Sequence, residues 1–254
     1  MARLQDRVVI VTGGAQGIGR AYCQGLAQEG AKVVVADIDE QRAGSTAREL
    51  QQQGAQAMAV AADVAQEHSA ADMIGAALSR FGRIDGLVNN AAMYQRPAVR
   101  RAPFWELSVD EWDRVMGVNV RGIFLCSRAV SEPMREQRSG SIVNISSGTV
   151  HMGTPMFAHY VTSKAGVIGL TRVMARELGD YNVRVNAIAP GYTQSLDEPD
   201  QAFLARLRQV ADQRCLKRVQ EPQDLVGTVL FFCSDDSAFI TGQTLLVDGG
   251  SSMS

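Results

Sequence analysis

The chain has 254 residues, 46% of them hydrophobic and 20% charged, with a formal net charge of -2. That composition is globular and excludes a fibrous or disordered chain; at this length it fills one large α/β core more readily than two. The small net charge gives no case for nucleic acid or an anionic membrane surface as partner, and no apolar run approaches the roughly 18 residues of a membrane span.

Taken in chain order, Met1 to Arg7 lacks the apolar core of a secretory signal, so a cytoplasmic location is expected. Val8 to Thr12 is a short β-branched run, followed by glycines and a helical pattern over 17–28. Gly30-Ala31 closes that helix before a second apolar run, Lys32 to Asp37, and a helix over 40–53. A third strand is expected over 56–62, a helix over 69–81 and a fourth strand over 84–89. The spacing then predicts one uninterrupted helix over 109–136, a strand over 141–146, a helix over 159–178 and a strand over 184–189. A helix over 222–232 and a strand over 244–247 complete the series.

Continuous apolar strands alternating with amphipathic helices indicate a parallel sheet covered on both faces. The expected fold is therefore a doubly wound, Rossmann-like α/β domain spanning 1–254, with ligand sites at the carboxyl ends of the strands. Two longer connections interrupt the rhythm and are candidate substrate loops. One runs over 93–108 and contains Arg96, Arg100, Arg101, Phe104 and Trp105; the other runs over 191–216, with a short helix expected at 201–210. Four scattered cysteines and three histidines show no metal-ligand spacing, so no metal is expected.

The first strand-to-helix turn reads Thr12-Gly13-Gly14-Ala15-Gln16-Gly17-Ile18-Gly19. Glycines let a backbone turn tightly against a pyrophosphate, and the helix that follows offers free N–H groups and a positive dipole end. Asp37 ends the second strand, where a carboxylate can accept both adenosine ribose hydroxyls and would repel a 2′-phosphate. Ile38 follows it and Gln16 sits in the turn, so neither supplies the cation expected for NADP, and NAD is the expected cofactor. The competing role for Asp37 is a helix N-cap. Asp63 and Val64, after the third strand, are candidates for the adenine. Asn89-Asn90-Ala91-Ala92 ends the fourth strand in small and amide residues that suit close passage of a flat ligand.

Tyr160 and Lys164 lie four residues apart on one expected helix, and lysine is otherwise found only at positions 32 and 217. A free tyrosine is too weak an acid for base catalysis at neutral pH, and a neighbouring ammonium favours the phenolate. Ser147 ends the fifth strand thirteen residues earlier, where a hydroxyl can hold a substrate oxygen as charge develops on it. Its neighbour Ser146 should point elsewhere by strand alternation.

Thr12-Gly13-x-x-x-Gly17-x-Gly19, Asp63, Asn89-Asn90-Ala91, Asn119, Ser147, Tyr160-x-x-x-Lys164 and Pro190-Gly191 together make the whole chain resemble the short-chain dehydrogenase/reductase family, in its subgroup of about 250 residues. The resemblance implies that Asn119 joins Ser147, Tyr160 and Lys164 in a catalytic tetrad and helps hold a proton-relay water. It also implies that Lys164 binds the nicotinamide ribose, that Pro190 and Gly191 border the cofactor, and that the edge from Phe239 to Gly250 forms a homotetramer. This chain has Ala91-Ala92 where the family often has Ala-Gly. After Pro190-Gly191 it has Thr193 and then Ser195, which inherits the family threonine's place near the carboxamide.

The implied activity is hydride transfer between NAD and a secondary alcohol or ketone, with aromatic or ring-bearing substrates favoured by the stretch from Gly153-Thr154-Pro155 to Thr193. Candidate substrate residues are Met93, Tyr94, Thr149, His151, Met156, Phe157 and Tyr192, by their positions after the catalytic strands. Two alternatives stand beside this one. Arg96, Arg100 and Arg101 could receive an anionic or sugar-type alcohol, and a dinucleotide-binding regulator without turnover would share the fold. An intact set of Asn119, Ser147, Tyr160 and Lys164 argues against the regulator. A dehydratase or epimerase is the weaker enzyme alternative, since these are usually longer chains.

Overall fold

The computed structural model describes residues 2–94 and 99–253. The first half contains β1 (Val8–Thr12), α1 (Gly17–Gln28), β2 (Lys32–Asp37), α2 (Glu40–Gln52), β3 (Ala57–Ala61), α3 (Glu67–Phe81) and β4 (Gly86–Asn89). Then follow α4 (Val109–Met116), α5 (Gly122–Gln137), β5 (Gly140–Ile145), α6 (Thr149–Met152), α7 (Ala158–Leu178) and β6 (Val183–Pro190). The chain closes with α8 (Gln201–Gln213), α9 (Gln223–Cys233) and β7 (Thr244–Val247). All seven strands join one parallel sheet in the order β3-β2-β1-β4-β5-β6-β7. The strand order reverses beside β1, which opens a crevice at the carboxyl ends of β1 and β4.

Strand alternation builds the two core layers. Val9, Val11, Val33, Val35, Val143 and Ile188 face one layer with Leu26 of α1 and Leu225 and Val229 of α9. Val8, Ile10, Val34, Leu87, Ile142 and Val185 face the other with Met73 of α3, Ile123 and Val130 of α5 and Val167 of α7. Each fully buried side chain of this kind contributes about 1.5–3 kcal/mol. A polar string crosses the second layer. Asn89 of β4 donates to Asn144 of β5 at 2.9 Å and to Ser127 of α5 at 3.0 Å, while Asn144 donates to Thr171 of α7 at 2.9 Å. These groups are buried and satisfied, and they lock β4 and β5 in register behind the crevice.

The expected single helix over 109–136 is interrupted. α4 starts in a capping box between Ser108 and Glu111, and Gly117–Arg121 then forms a π-helical turn before α5. Asn119 lies in that turn, which widens the backbone where the side chain is drawn toward other elements. The helix expected at 201–210 extends to Gln213, and α6 follows β5 where no helix was expected.

Candidate active site

The turn between β1 and α1 is held from outside. Asn90 Nδ2 donates to the carbonyls of Thr12 and Gly13, each at 3.0 Å, and the backbone N–H groups of Asn90 and Ala91 donate to Thr12 Oγ1 at 3.1 Å. Gly13 has φ +63, and a Cβ there would meet Ala91 Cα at 2.9 Å; a Cβ on Gly19 would meet the Gly13 carbonyl at 2.0 Å. Gly17 has φ +53 and lies under the backbone of Ser195, whose carbonyl would be 2.6 Å from an added Cβ. Only glycine fits these positions, which brings the 191–216 loop down onto the turn. Gln16 precedes α1 without a side-chain cap, so no side chain of this residue occupies the amides of the helix's first turn.

Asp37 aims its carboxylate at this turn: Oδ2 accepts from Ala15 N at 3.1 Å and Oδ1 from Asp39 N at 3.1 Å. The N-cap of α2 is Asp39, which accepts from Arg42 N at 3.0 Å, so the competing role for Asp37 falls to its neighbour. Ile38 is exposed. One cation was missed in the sequence. Arg42, in the first turn of α2, reaches across to the glycine turn to hydrogen-bond Gln16 Oε1 and pairs with Asp39 at 3.5 Å. Asp63 closes an Asx turn with Ala65 N at 3.0 Å, and Val64 packs over Gly122, where a Cβ would meet its Cγ2 at 2.9 Å.

Beyond the β5 terminus the two serines diverge as alternation requires. Ser146 Oγ donates to the Lys164 carbonyl at 2.8 Å, inside α7, whereas the Ser147 hydroxyl lies beside Tyr160. Thr149, expected among the substrate residues, is committed to Ser147 instead: its N–H and its hydroxyl both donate to Ser147 Oγ, at 3.2 and 2.9 Å. Lys164 is 2% exposed, donates from Nζ to the Ile145 carbonyl at 2.7 Å, and lies 5.8 Å from the centre of the Tyr160 ring. Burial lowers its pKa to about 8. Burial also raises the Tyr160 phenol to about 12, against which the Ser147 hydroxyl and the Arg101 charge act.

Asn119 is fully buried and works through its side chain. Its Oδ1 accepts from Met93 N at 2.8 Å, and its Nδ2 donates to the Met93 carbonyl at 3.2 Å and to Ser163 Oγ at 3.0 Å. Ser163 in turn donates to the Tyr160 carbonyl at 2.7 Å. Asn119 therefore ties the segment after β4 to the helix that carries Tyr160. Ser163 was missed, although a small polar residue three positions after Tyr160, on the same helix face, was its signal.

Among the substrate candidates, Tyr94 stands 5.2 Å from Tyr160 and 6.1 Å from Phe157, ring centre to ring centre. Phe157 is 1% exposed and stacks on Tyr160 at 4.5 Å and 17°. The candidate substrate residue Phe157 is thus buried against the catalytic ring. Tyr192 is half-buried beside Phe203 of α8, and the buried Arg214 donates to its carbonyl at 2.7 Å. His151 and Met156 are exposed. Thr193 is also committed: its hydroxyl donates to the Gly191 carbonyl at 3.0 Å, leaving Ser195 nearer the glycine turn. Pro190 and Gly191 lie where β6 meets β7, and a Cβ on Gly191 would clash with Gln220 and Asp248. Of the three loop arginines, Arg100 pairs with Glu111 at 2.9 Å, Arg101 lies over Phe157, and Arg96 lies outside the described residues.

A glycine turn that admits no Cβ, an α1 start without a side-chain cap and a ribose-side carboxylate at Asp37 fit a dinucleotide. Among the described residues no helix is long and apolar enough to cross a membrane, and no cluster of three or more His, Cys, Asp or Glu could hold a metal.

Comparison with known proteins agrees with this geometry. The profile of a family described as enoyl-(acyl carrier protein) reductase matches residues 13–252. The chain is 38% identical to (2S)-((R)-hydroxy(phenyl)methyl)succinyl-CoA dehydrogenase subunit BbsD of Thauera aromatica, over 98% of each chain. It is 39% identical to 3-oxoacyl-(acyl-carrier-protein) reductase FabG of Staphylococcus epidermidis, over 96% of this chain and 98% of the relative. Among solved structures, a putative short-chain alcohol dehydrogenase from Sinorhizobium meliloti superposes with a TM-score of 0.90 at 33% identity, covering 98% of this chain and 97% of that one.

Proposed function

The chain belongs to the short-chain dehydrogenase/reductase family, and we propose that it interconverts a secondary alcohol, aromatic or ring-bearing, with its ketone, using NAD. The family's members are oxidoreductases that use nicotinamide dinucleotides. The observation that carries the reading is one buried phenol, Tyr160, set beside the Ser147 hydroxyl and the Lys164 ammonium at the carboxyl end of β5. A dinucleotide-binding regulator needs none of these groups.

In the oxidative direction Tyr160 Oη takes the proton of the substrate hydroxyl, and Ser147 Oγ hydrogen-bonds the same oxygen and keeps it in line. Thr149 fixes the rotamer of Ser147 by donating two hydrogen bonds to it. Lys164 brings positive charge beside the phenol and is free to bind a ribose hydroxyl with its remaining N–H groups. With its pKa lowered to about 8, it is largely charged at neutral pH and can exchange its proton slightly above it. Asn119 positions α7 and the segment after β4, and through Lys164 would help hold a relay water. A bound nicotinamide supplies the hydride acceptor, and its positive charge in the oxidised form favours the phenolate. In the reductive direction Tyr160 Oη returns its proton to the carbonyl oxygen.

The preference for NAD draws support from Asp37, whose carboxylate accepts from Ala15 N beside the glycine turn and would repel a 2′-phosphate bound there. Arg42 is near, yet its charge is balanced by Asp39. The ring-bearing substrate draws support from the aromatic lining of Tyr94 and Tyr192, and from the phenyl-bearing substrate named for the Thauera relative. Four free cysteines, three of them buried, suit the reducing cytoplasm. A homotetramer draws support from the exposed Phe239 and from Leu245 on the edge strand β7; a monomer in light scattering would refute it. The reaction itself is tested by an absorbance screen for NADH formation over secondary alcohols, sugars and hydroxy acids. The reading expects turnover of ring-bearing secondary alcohols, and tight NAD binding without any turnover would overturn it.

A further inference from the structure

We propose that Arg101 is the anion-binding residue of the substrate site, so that the alcohol or ketone handled here carries a carboxylate, which Arg101 holds at the mouth above Tyr160. The inference rests on the alcohol–ketone reading and narrows its substrate class to hydroxy and oxo acids.

The two described arginines of the 93–108 loop are used differently. Arg100 pairs with Glu111 and also donates to the Glu106 carbonyl, so it holds the loop against the start of α4. Arg101 is exposed and has no ion-pair partner among the described residues. Its guanidinium carbon lies 4.3 Å from the centre of the Phe157 ring, and that ring is stacked at 4.5 Å on Tyr160. The same guanidinium stands beside the Tyr94 hydroxyl, and its charge acts on the phenols of Tyr94, Tyr160 and Tyr192 together. Those three tyrosines come from the segment after β4, from α7 and from the loop after β6. A single cation acts on all three phenols, which puts it near each of them.

The other charges near those phenols do not neutralise it. Asp200 acts on Tyr192 alone; it already caps α8 by accepting from Phe203 N at 2.7 Å, and Arg206 opposes it there. Lys164 is buried below, bonded to the Ile145 carbonyl. Among the described residues this guanidinium is uncompensated, desolvated on one face by Phe157 and open at its edge. A guanidinium presents parallel N–H donors that match a carboxylate in a bidentate pair. One cation neutralises one carboxylate, whereas a phosphate monoester would bring nearly two charges to it. Placed there, the carboxylate sits across the stacked rings from the reacting oxygen, which fixes which hydroxyl of the substrate meets Tyr160 and Ser147.

Calorimetric titration of benzoate and of benzamide onto the wild-type protein, with NAD present, reads the site without requiring turnover. Benzoate is expected to bind at least about 10-fold more tightly than benzamide, the worth of a charge-assisted pair. Arg101→Ala should abolish that preference and Arg101→Lys should retain part of it. In turnover, 3-hydroxy-3-phenylpropanoate should be preferred over its methyl ester by a lower KM, and Arg101→Ala should erase the difference. Equal binding of benzoate and benzamide by the wild type, or an unchanged preference in Arg101→Ala, overturns the proposal. Phenyl phosphate bound more tightly than benzoate overturns the carboxylate class. Absence of turnover with every alcohol, alongside an Arg101-dependent benzoate preference, would sink the alcohol–ketone reading and leave the anion site standing.

Discussion

Lys164→Met separates what this lysine costs the fold from what it gives the site. The ammonium is 2% exposed, and burial lowers its pKa from 10.5 to about 8. An unfolded chain protonates this group below about pH 10.5, the folded protein only below about pH 8. Between those values the folded state binds fewer protons, so its stability rises with pH across that window. Below pH 8 the full penalty stands, about 3 kcal/mol; above pH 10.5 it is gone. Methionine removes the penalty and also removes the bond from Nζ to the Ile145 carbonyl, a loss of about 1–2 kcal/mol. The variant should therefore be about 1–2 kcal/mol more stable than wild type at pH 7 and less stable by a similar amount near pH 10.5. Urea unfolding of the cofactor-free protein, followed by tryptophan fluorescence at both pH values, measures the difference. The other titrating groups cancel between the two proteins. A stability difference that does not change with pH would refute the reasoning, whatever its sign, and turnover by the variant should be lost in either case.

Alcohol oxidation requires the Tyr160 phenolate, and burial holds this phenol high. Its rate should accordingly climb with pH, about tenfold per unit below the limb, while carbonyl reduction does not; a flat oxidative pH profile would contradict the role. Asp37→Ala removes the carboxylate beside the glycine turn and should narrow the NAD-over-NADP ratio of kcat/KM by at least about tenfold, and an unchanged ratio would place discrimination elsewhere. Asn119→Ala strips three hydrogen bonds from Met93 and Ser163. It should cost about 2–3 kcal/mol in urea unfolding and lower kcat more than it raises KM, since the segment after β4 and the Tyr160 helix lose their tie.

What the sequence made legible was local. β-branched runs became strands at nearly the expected bounds, because the central strands are buried on both faces and their pattern needs no tertiary partner to be recognised. The grouping of Tyr160, Lys164 and Ser147 was suggested by spacing, since a helix and a strand end convert spacing into direction, and the structure brings the three side chains together. The misses are products of side-chain contacts, some between distant elements and some within a turn, that periodicity does not report. The π turn at Asn119 exists because that side chain is bonded to Met93 and Ser163, which no periodicity reports. Thr149 and Thr193 read as ligand groups, yet each donates its hydroxyl to a neighbour two residues away. Phe157 read as a substrate residue and is buried against the catalytic ring. Arg100 and Arg101 are adjacent in sequence and chemically alike; only the position of Glu111 assigns one to the scaffold and leaves the other at the mouth.

The central claim is that Tyr160 Oη moves the proton while the rest of the site binds and orients. Tyr160→Phe deletes that oxygen and keeps the ring that stacks on Phe157. Its NAD affinity by calorimetry should stay within about twofold of wild type, while kcat for a turned-over secondary alcohol falls by at least about 100-fold, the contribution of a positioned general base. A Tyr160→Phe enzyme that binds NAD normally and still turns over at close to the wild-type rate would contradict the account.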